Sequence, residues 1–291
     1  MPELPDLAVL AEAFEAALAG RRIRAVGVVA PLTARATPAE LDGLVGQTLL
    51  GVARRGKFLR FVLDRDEIIV NLMLSGRLAL AATTAEADPR DAAAVLDFSE
   101  RGTTPSGPPS LVRASWLPAA AAAPRLTLLD RRQMAKLYVV GPAISRRVAG
   151  FDPDELGPDA DDPGLTLDAW RARIRRHSGQ LKPLLRNQRF VAGIGNAYAD
   201  EILHAARLQP FRRRASLAPD EIDELYEAMR TTIGRAIEIL RERVPPTFER
   251  QVRDFFAVHG RGGESCPRCG GRISEVGPGD ERTAYCRGCQ R

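Results

Sequence analysis

Cysteine is absent from the first 265 of this chain's 291 residues, lysine occurs only three times, histidine three times and tryptophan twice. No disulfide scaffold is therefore possible over most of the chain, and a chain of this length has no need of one. Aromatic residues make up 5%, and no apolar run approaches the length of a membrane span. No leader segment is recognised at the start, and a cytoplasmic protein is expected. Apolar content of 45% excludes a disordered chain, and the length suffices for two ordinary domains with cores.

Charge is spread unevenly. The net charge is +5, with a pI near 9.3. From Thr166 onward, 23 basic residues stand against 16 acidic ones, while residues 1–165 carry 19 against 21. The second half is the electrostatic footprint expected for a polyanion, DNA or RNA, since charge does not tell these apart. Of the 42 basic residues, 39 are arginine. An ammonium is a compact donor that can titrate and act as an amine, which guanidinium cannot, so Lys57, Lys136 and Lys182 each merit attention.

The four cysteines form Cys266-Pro-Arg-Cys269 and Cys286-Arg-Gly-Cys289, with sixteen residues between the pairs. Two CxxC turns joined by a short Gly-rich ribbon have the spacing of a tetrahedral zinc site. Two disulfides are the alternative reading. Four sulfurs leave no open coordination position, so the expected zinc is structural.

Along the chain, an Ala/Glu/Leu-rich helix is expected over Leu7–Leu18, with Asp6 as N-cap and Gly20 as stop. Strand-like runs follow at residues 23–29, 48–52, 58–62, 68–72, 95–98, 125–129 and 137–140. Residues 99–124 read as a long loop. Helical patterning returns at 167–177, 181–187, 195–206 and 219–243. The expected domains are residues 1–140, a linker at 141–165, a helical domain at 166–250 that carries most of the excess of basic charge and a zinc finger at 251–291.

Gly193-Ile-Gly195-Asn196 lacks the third glycine of a dinucleotide loop, and no parallel strand pattern precedes it. It reads better as a glycine turn between helices, presenting backbone N–H groups and Asn196 to a phosphate. At the other end, Met1-Pro2-Glu3 offers a secondary amine at Pro2 once Met1 is removed. An α-amine has a pKa of about 8, so part of it is an unprotonated nucleophile at neutral pH. Glu3 is placed to carry protons. His177, His204 and His259 are scattered and take surface or capping roles on this reading; Trp116 and Trp170 have no motif context.

Taken together, Met1-Pro2-Glu3-Leu4-Pro5, Arg54-Arg55-Gly56-Lys57, Leu74-Ser75-Gly76, Leu181-Lys182-Pro183, Gly193-Ile-Gly-Asn196-Ala-Tyr198-Ala and the ribbon with Arg282-Thr-Ala-Tyr-Cys286 resemble the formamidopyrimidine-DNA glycosylase / endonuclease VIII family. The resemblance spans nearly the whole chain. It implies an α+β multidomain fold: an N-terminal helix and β-sandwich, then a helix-two-turn-helix domain ending in a zinc-ribbon hairpin, with one structural zinc on Cys266, Cys269, Cys286 and Cys289. It also implies a monomeric, bacterial, nucleoid-associated base-excision repair enzyme acting on double-stranded DNA with a damaged base or abasic site.

In the implied chemistry Pro2 is the nucleophile, Glu3 manages protons, and Lys57 and Arg282 assist at the reaction centre. Asn196, Lys182 and Tyr198 bind DNA, and Leu74, Arg132 and Met134 fill the gap left by an extruded nucleotide. Four places depart from the family pattern. Leu74 and Arg132-Gln133-Met134 replace the usual Met and Arg-Arg-Phe wedge, Asn71 replaces a strand histidine, residues 244–258 are short for a lesion-capping loop, and the 99–124 insertion has no counterpart in the family. Oxidised pyrimidines are therefore as open a possibility as 8-oxoguanine. The alternative from a different class is a zinc-ribbon protein that binds damaged or abasic DNA without cutting it.

Overall fold

The computed structural model describes residues 1–82, 91–101, 118–243 and 251–291. Most of the expected 99–124 loop and the beginning of the 244–258 stretch lie outside these. The chain divides into two compact units. The first comprises Met1–Pro2, Asp6–Val148 and Ile239–Gln251, and the second Glu3–Pro5, Ala149–Glu238 and Val252–Arg291.

Helix α1 spans Leu4–Leu18, three residues earlier at its start than the sequence pattern indicates. Pro5 is tolerated because the first turn has no use for its missing N–H. Asp6 thus lies inside the first turn rather than capping it. Gly20, at φ 80°, stops the helix, and its N–H donates to the Leu49 carbonyl. Phe14 on α1 packs against Phe61 with ring centroids 6.1 Å apart.

Among the described residues, nine strands of the first unit form two sheets. Strands β1 (Ile23–Val28), β7 (Ala92–Phe98), β8 (Arg125–Leu129) and β6 (Arg77–Ala81) make a four-stranded antiparallel sheet in that order. The other sheet runs β2 (Ala34–Arg35), β9 (Lys136–Val140), β5 (Glu67–Asn71), β4 (Phe58–Leu63) and β3 (Leu49–Arg55). Residues along β6 and β9 alternate buried and half-buried, the signature of a strand with one side to the core. Three elements escape the sequence reading. Strand β2 is only two residues long, and β6 is Arg-Leu-Ala-Leu-Ala, where alanine supplies little strand preference. Helix α2 (Pro38–Asp42) carries a legible signal: Thr37 and Glu40 form a reciprocal capping box with Pro38 at the first helical position.

Arg21 is fully buried and organises the segment preceding β8. Its Nε donates to the Ala17 carbonyl, Nη2 to Ala119 at 2.9 Å, and Nη1 to Ser99 at 3.1 Å and Ala122 at 2.5 Å. Burial, and secondarily Arg101, pulls its pKa down to about 10.

The second unit is built on α3 (Leu167–Arg175), α4 (Leu181–Arg186), α5 (Asn196–Ala205) and the Pro219–Glu238 part of α6 (Pro219–Arg243). Trp170, Phe190, Tyr198, Met229 and Phe256 lie in its core, with Leu4 buried among them. Trp170 thereby gains a role: its indole N–H donates to the Ile222 carbonyl at 3.1 Å. The chain closes with the hairpin of β10 (Ile273–Val276) and β11 (Thr283–Cys286), paired from Ile273↔Cys286 to Val276↔Thr283.

Candidate functional site

In the first unit, β3 and β4 pair up to Arg55↔Phe58, leaving Gly56-Lys57 as a two-residue hairpin turn. Gly56 has φ 56° while Lys57 keeps a negative φ, the arrangement of a type II′ turn, which needs glycine at its first central position. The strand pairing thus delivers Lys57 to a hairpin tip. Pro2 is buried in the same unit. Leu74 is 42% exposed on the loop between β5 and β6, and Arg132 is exposed with Met134 half-buried on the loop between β8 and β9.

In the second unit, Glu3 sits on the N-terminus of α5. Its carboxylate accepts the N–H of Gly195 at 2.5 Å, Ala197 at 2.9 Å and Tyr198 at 3.3 Å. A helix N-terminus presents unpaired donors and a positive dipole end, so a carboxylate is its natural complement. Glycine is required at both turn positions. A Cβ on Gly195 would stand 2.5 Å from the Glu3 carboxyl carbon, and one on Gly193, itself at φ 96°, would stand 2.6 Å from Leu4. This corrects the expectation that the turn offers its backbone donors to a phosphate, because Glu3 takes three of them.

The remaining expected contacts gather around Arg282. Its carbonyl accepts from Asn196 Nδ2 at 2.9 Å and from Lys182 Nζ at 3.0 Å. The guanidinium is free of the core, donating to the Gly279 carbonyl at 3.1 Å and to Glu275 at 3.1 Å, with the side chain 54% exposed. Lys182 is not an outward DNA contact as the resemblance implied. It is 4% exposed, lies 2.6 Å from Asp200 Oδ1 and also donates to Thr283 Oγ1 at 3.0 Å. With two hydrogen bonds and one ion pair on its ammonium, Lys182 is an internal strut behind the Arg282 loop. Burial pulls its pKa down, and Asp200 opposes the shift. Tyr198 likewise turns inward. Its fully buried ring packs edge-on against Phe256 at 5.1 Å, with the Arg253 guanidinium 5.2 Å from the ring centroid.

Two adjacent acids on α5 were missed by the sequence reading. Asp200, fully buried, takes Lys182, the His259 ring at 2.8 Å and the Ala284 N–H at 3.1 Å. Glu201 accepts the N–H groups of Ala257, Val258 and His259 at 2.7 to 2.9 Å, and burial pushes its pKa up. His204 is buried with Nε2 3.4 Å from Cys266 Sγ, and desolvation, then Arg268, lowers its pKa to about 4. His259 and His204 therefore pair with a carboxylate and a cysteine that are remote in sequence, a pairing that spacing along the chain cannot reveal.

The four cysteines converge as free thiols, their sulfurs all within 4.8 Å of one another. Four thiolates at about 2.3 Å from one tetrahedral ion stand about 3.8 Å apart. Here Cys266 and Cys289 are separated by 3.8 Å, and Cys269 and Cys286 by 3.4 Å. The set fits one metal ion. Gly271 and Gly288 leave room against it, since a Cβ on either would fall 3.3 Å from Cys269 Sγ.

Comparison with known proteins is consistent along the chain. The formamidopyrimidine-DNA glycosylase N-terminal domain matches residues 1–107, and the formamidopyrimidine-DNA glycosylase H2TH domain matches residues 156–244. The formamidopyrimidine-DNA glycosylase of Geobacillus kaustophilus is 31% identical over 300 residues, covering all of both proteins. That of Geobacter metallireducens is 32% identical over 301 residues, again covering both completely. Among solved structures, Lactococcus lactis Fpg in complex with abasic-site DNA matches with a TM-score of 0.82 at 22% identity, covering 99% of each chain. A variant of the same protein with Fapy-dG-containing DNA gives 0.82 at 23%, covering both chains fully. At these identities the structural likeness is one of fold.

Proposed function

The chain belongs to the formamidopyrimidine-DNA glycosylase family, and on that premise we propose how its own residues divide the work of a base-excision DNA glycosylase and abasic-site lyase. Removal of Met1 frees the secondary amine of Pro2. Its nitrogen attacks C1′ of the damaged nucleotide, the base departs with the electrons of the glycosidic bond, and opening of the sugar ring leaves an iminium linking Pro2 to deoxyribose. The cationic nitrogen acidifies the C2′ hydrogen. Loss of that proton expels the 3′ phosphate, and a second elimination expels the 5′ phosphate. Addition of water to C1′ of the remaining iminium releases the unsaturated sugar fragment as an aldehyde and restores the amine. Glu3 carries protons in these steps.

The observation that supports this reading most is the seating of Glu3. Three hydrogen bonds to the start of α5 hold the carboxylate of Glu3, the residue that follows Pro2 in the chain, in one orientation. Lys57, at the hairpin tip, contacts a phosphate or the lesion. Asn196 and the Arg282 guanidinium hold phosphates flanking the extruded nucleotide, with Lys182 and Asp200 supporting the loop from behind. Zinc is the metal that suits four thiolates at this spacing, and it fixes the β10–β11 hairpin without taking part in the reaction. The partner is duplex DNA carrying a damaged base or abasic site, and the enzyme works on the nucleoid in the bacterial cytoplasm.

Borohydride reduction on duplexes with a single abasic site tests the assignment. A covalent adduct forms with the wild type and is lost in Pro2→Gly; adduct formation undiminished in that variant would refute it. A panel of duplexes with single defined lesions, scored separately for base release and strand cleavage, resolves substrate preference.

A further inference from the structure

Two loops of the first unit, residues 72–76 and 130–135, carry Leu74 and Arg132-Gln133-Met134. The structure ties them together through one buried carboxylate. Asp130, 3% exposed, accepts from Ser75 Oγ at 2.6 Å and from the Arg132 N–H at 3.1 Å on Oδ1, and from the Ala135 N–H at 2.5 Å on Oδ2. Each partner belongs to a segment that carries an expected stack-filling side chain. The loops also meet directly, since a Cβ on Gly76 would stand 2.8 Å from the Ala135 Cβ and 2.5 Å from the Leu72 carbonyl oxygen.

Each loop holds a non-glycine residue in the left-handed region, Met73 at φ 50° and Gln133 at φ 52°. Such conformations persist only where the surroundings over-determine them. The Met73 N–H donates to Asn71 Oδ1 at 2.9 Å, the Gln133 N–H to the Asp130 carbonyl at 3.1 Å, and Lys136 Nζ to the carbonyls of Gln133 and Leu32. Asn71 and Lys136 thus acquire roles at the bases of the two loops. Meanwhile Leu74 is left 42% exposed, an apolar side chain at the tip of a braced turn.

We propose that Asp130 is a positioning residue that makes the two loops one wedge, so that Leu74, Arg132 and Met134 enter the base stack together. This rests on the reading of those three side chains as gap fillers. A wedge must replace stacking lost on extrusion, and any freedom it retains before insertion is paid as ordering entropy. Methionine has three rotatable bonds and offers no flat face, so support from below matters more here than for a rigid ring. A carboxylate suits the junction because both its oxygens accept. An amide at this position would turn its NH₂ toward the Arg132 or the Ala135 N–H and leave that donor unpaired.

The test compares base release from a duplex holding one oxidised base with cleavage of a single-stranded abasic oligonucleotide, which needs no extrusion. In Ser75→Ala and Asp130→Asn the ratio of duplex to single-strand rate falls about tenfold, the loss expected for one charge-assisted hydrogen bond. Ser75→Thr, which keeps the hydroxyl, restores it. A ratio that stays at the wild-type value, or two rates that fall in parallel because the fold is damaged, overturns the proposal. Leu74→Ala separates the premise from the inference. An unchanged ratio in Leu74→Ala removes the wedge reading itself, whereas a lowered ratio there with an unchanged one in Ser75→Ala removes only the coupling.

Discussion

At the scale of single residues, burial decides which polar groups act outward and which hold the protein together. Asp200 and Lys182 form an ion pair at 2.6 Å with both side chains almost fully enclosed. Removing one partner strands the other as a buried charge. Asp200→Ala is therefore expected to lower unfolding free energy by about 3–5 kcal/mol in urea titration, and pairing it with Lys182→Met to recover a large part of that loss. Equal destabilisation in the single and double variants would show that the pair is not coupled. Gly195→Ala acts differently, since its added methyl runs into the Glu3 carboxyl group. Displacing that carboxylate should cost more in catalysis than the roughly 1–3 kcal/mol of stability expected when buried donors lose their acceptor. Single-turnover cleavage and thermal unfolding on the same preparations compare the two. For Pro2, only the neutral amine is nucleophilic. Trapping on abasic DNA should therefore speed up with rising pH until it levels off above about pH 8.

At the scale of elements, what the sequence discloses follows from how local the cause is. Strands such as β4 and β5 and the long helix α6 are legible because aromatic or β-branched runs and 3.6-residue periodicity reside in the segment itself. The Gly56-Lys57 turn and the two CxxC pairs are legible for the same reason. Partners that meet only after folding are not. The inward turn of Lys182, the pairing of His259 with Asp200, and the occupation of the α5 N-terminus by Glu3 each join residues between 18 and 195 positions apart. From the chain alone, Lys182 looks like another cation for DNA. The terminal hairpin gives the prediction that belongs to this scale. Its small buried set is Val258, Cys266, Ile273, Ala284 and Cys286, too few side chains for an independent core. Stripping the metal with a strong chelator should release one zinc per chain, measurable with a colorimetric dye, and abolish DNA binding. Circular dichroism should meanwhile retain the helical signal of α3 to α6. Full binding by metal-free protein would contradict the structural role of the ion.

At the scale of the whole molecule, the basic residues are concentrated from Thr166 onward, where 23 stand against 16 acids. Many of these arginines are internally committed; Arg212 pairs with Glu221 and Arg171 with Asp223. Net charge therefore overstates the number of phosphates the protein can neutralise. Affinity for DNA should fall linearly on a log–log plot against salt, and Arg282→Ala should lessen the slope by about one. Neutralising Arg171 should leave the slope unchanged. The measurement that goes most directly to the centre is the identity of the atom that carries the sugar. Wild-type protein is reduced with borohydride on an abasic duplex, digested, and the modified peptide sequenced by mass spectrometry. The account predicts deoxyribose on the nitrogen of an N-terminal Pro2 with Met1 gone; an adduct on Lys57, Lys136 or Lys182, or on protein that still carries Met1, would contradict it.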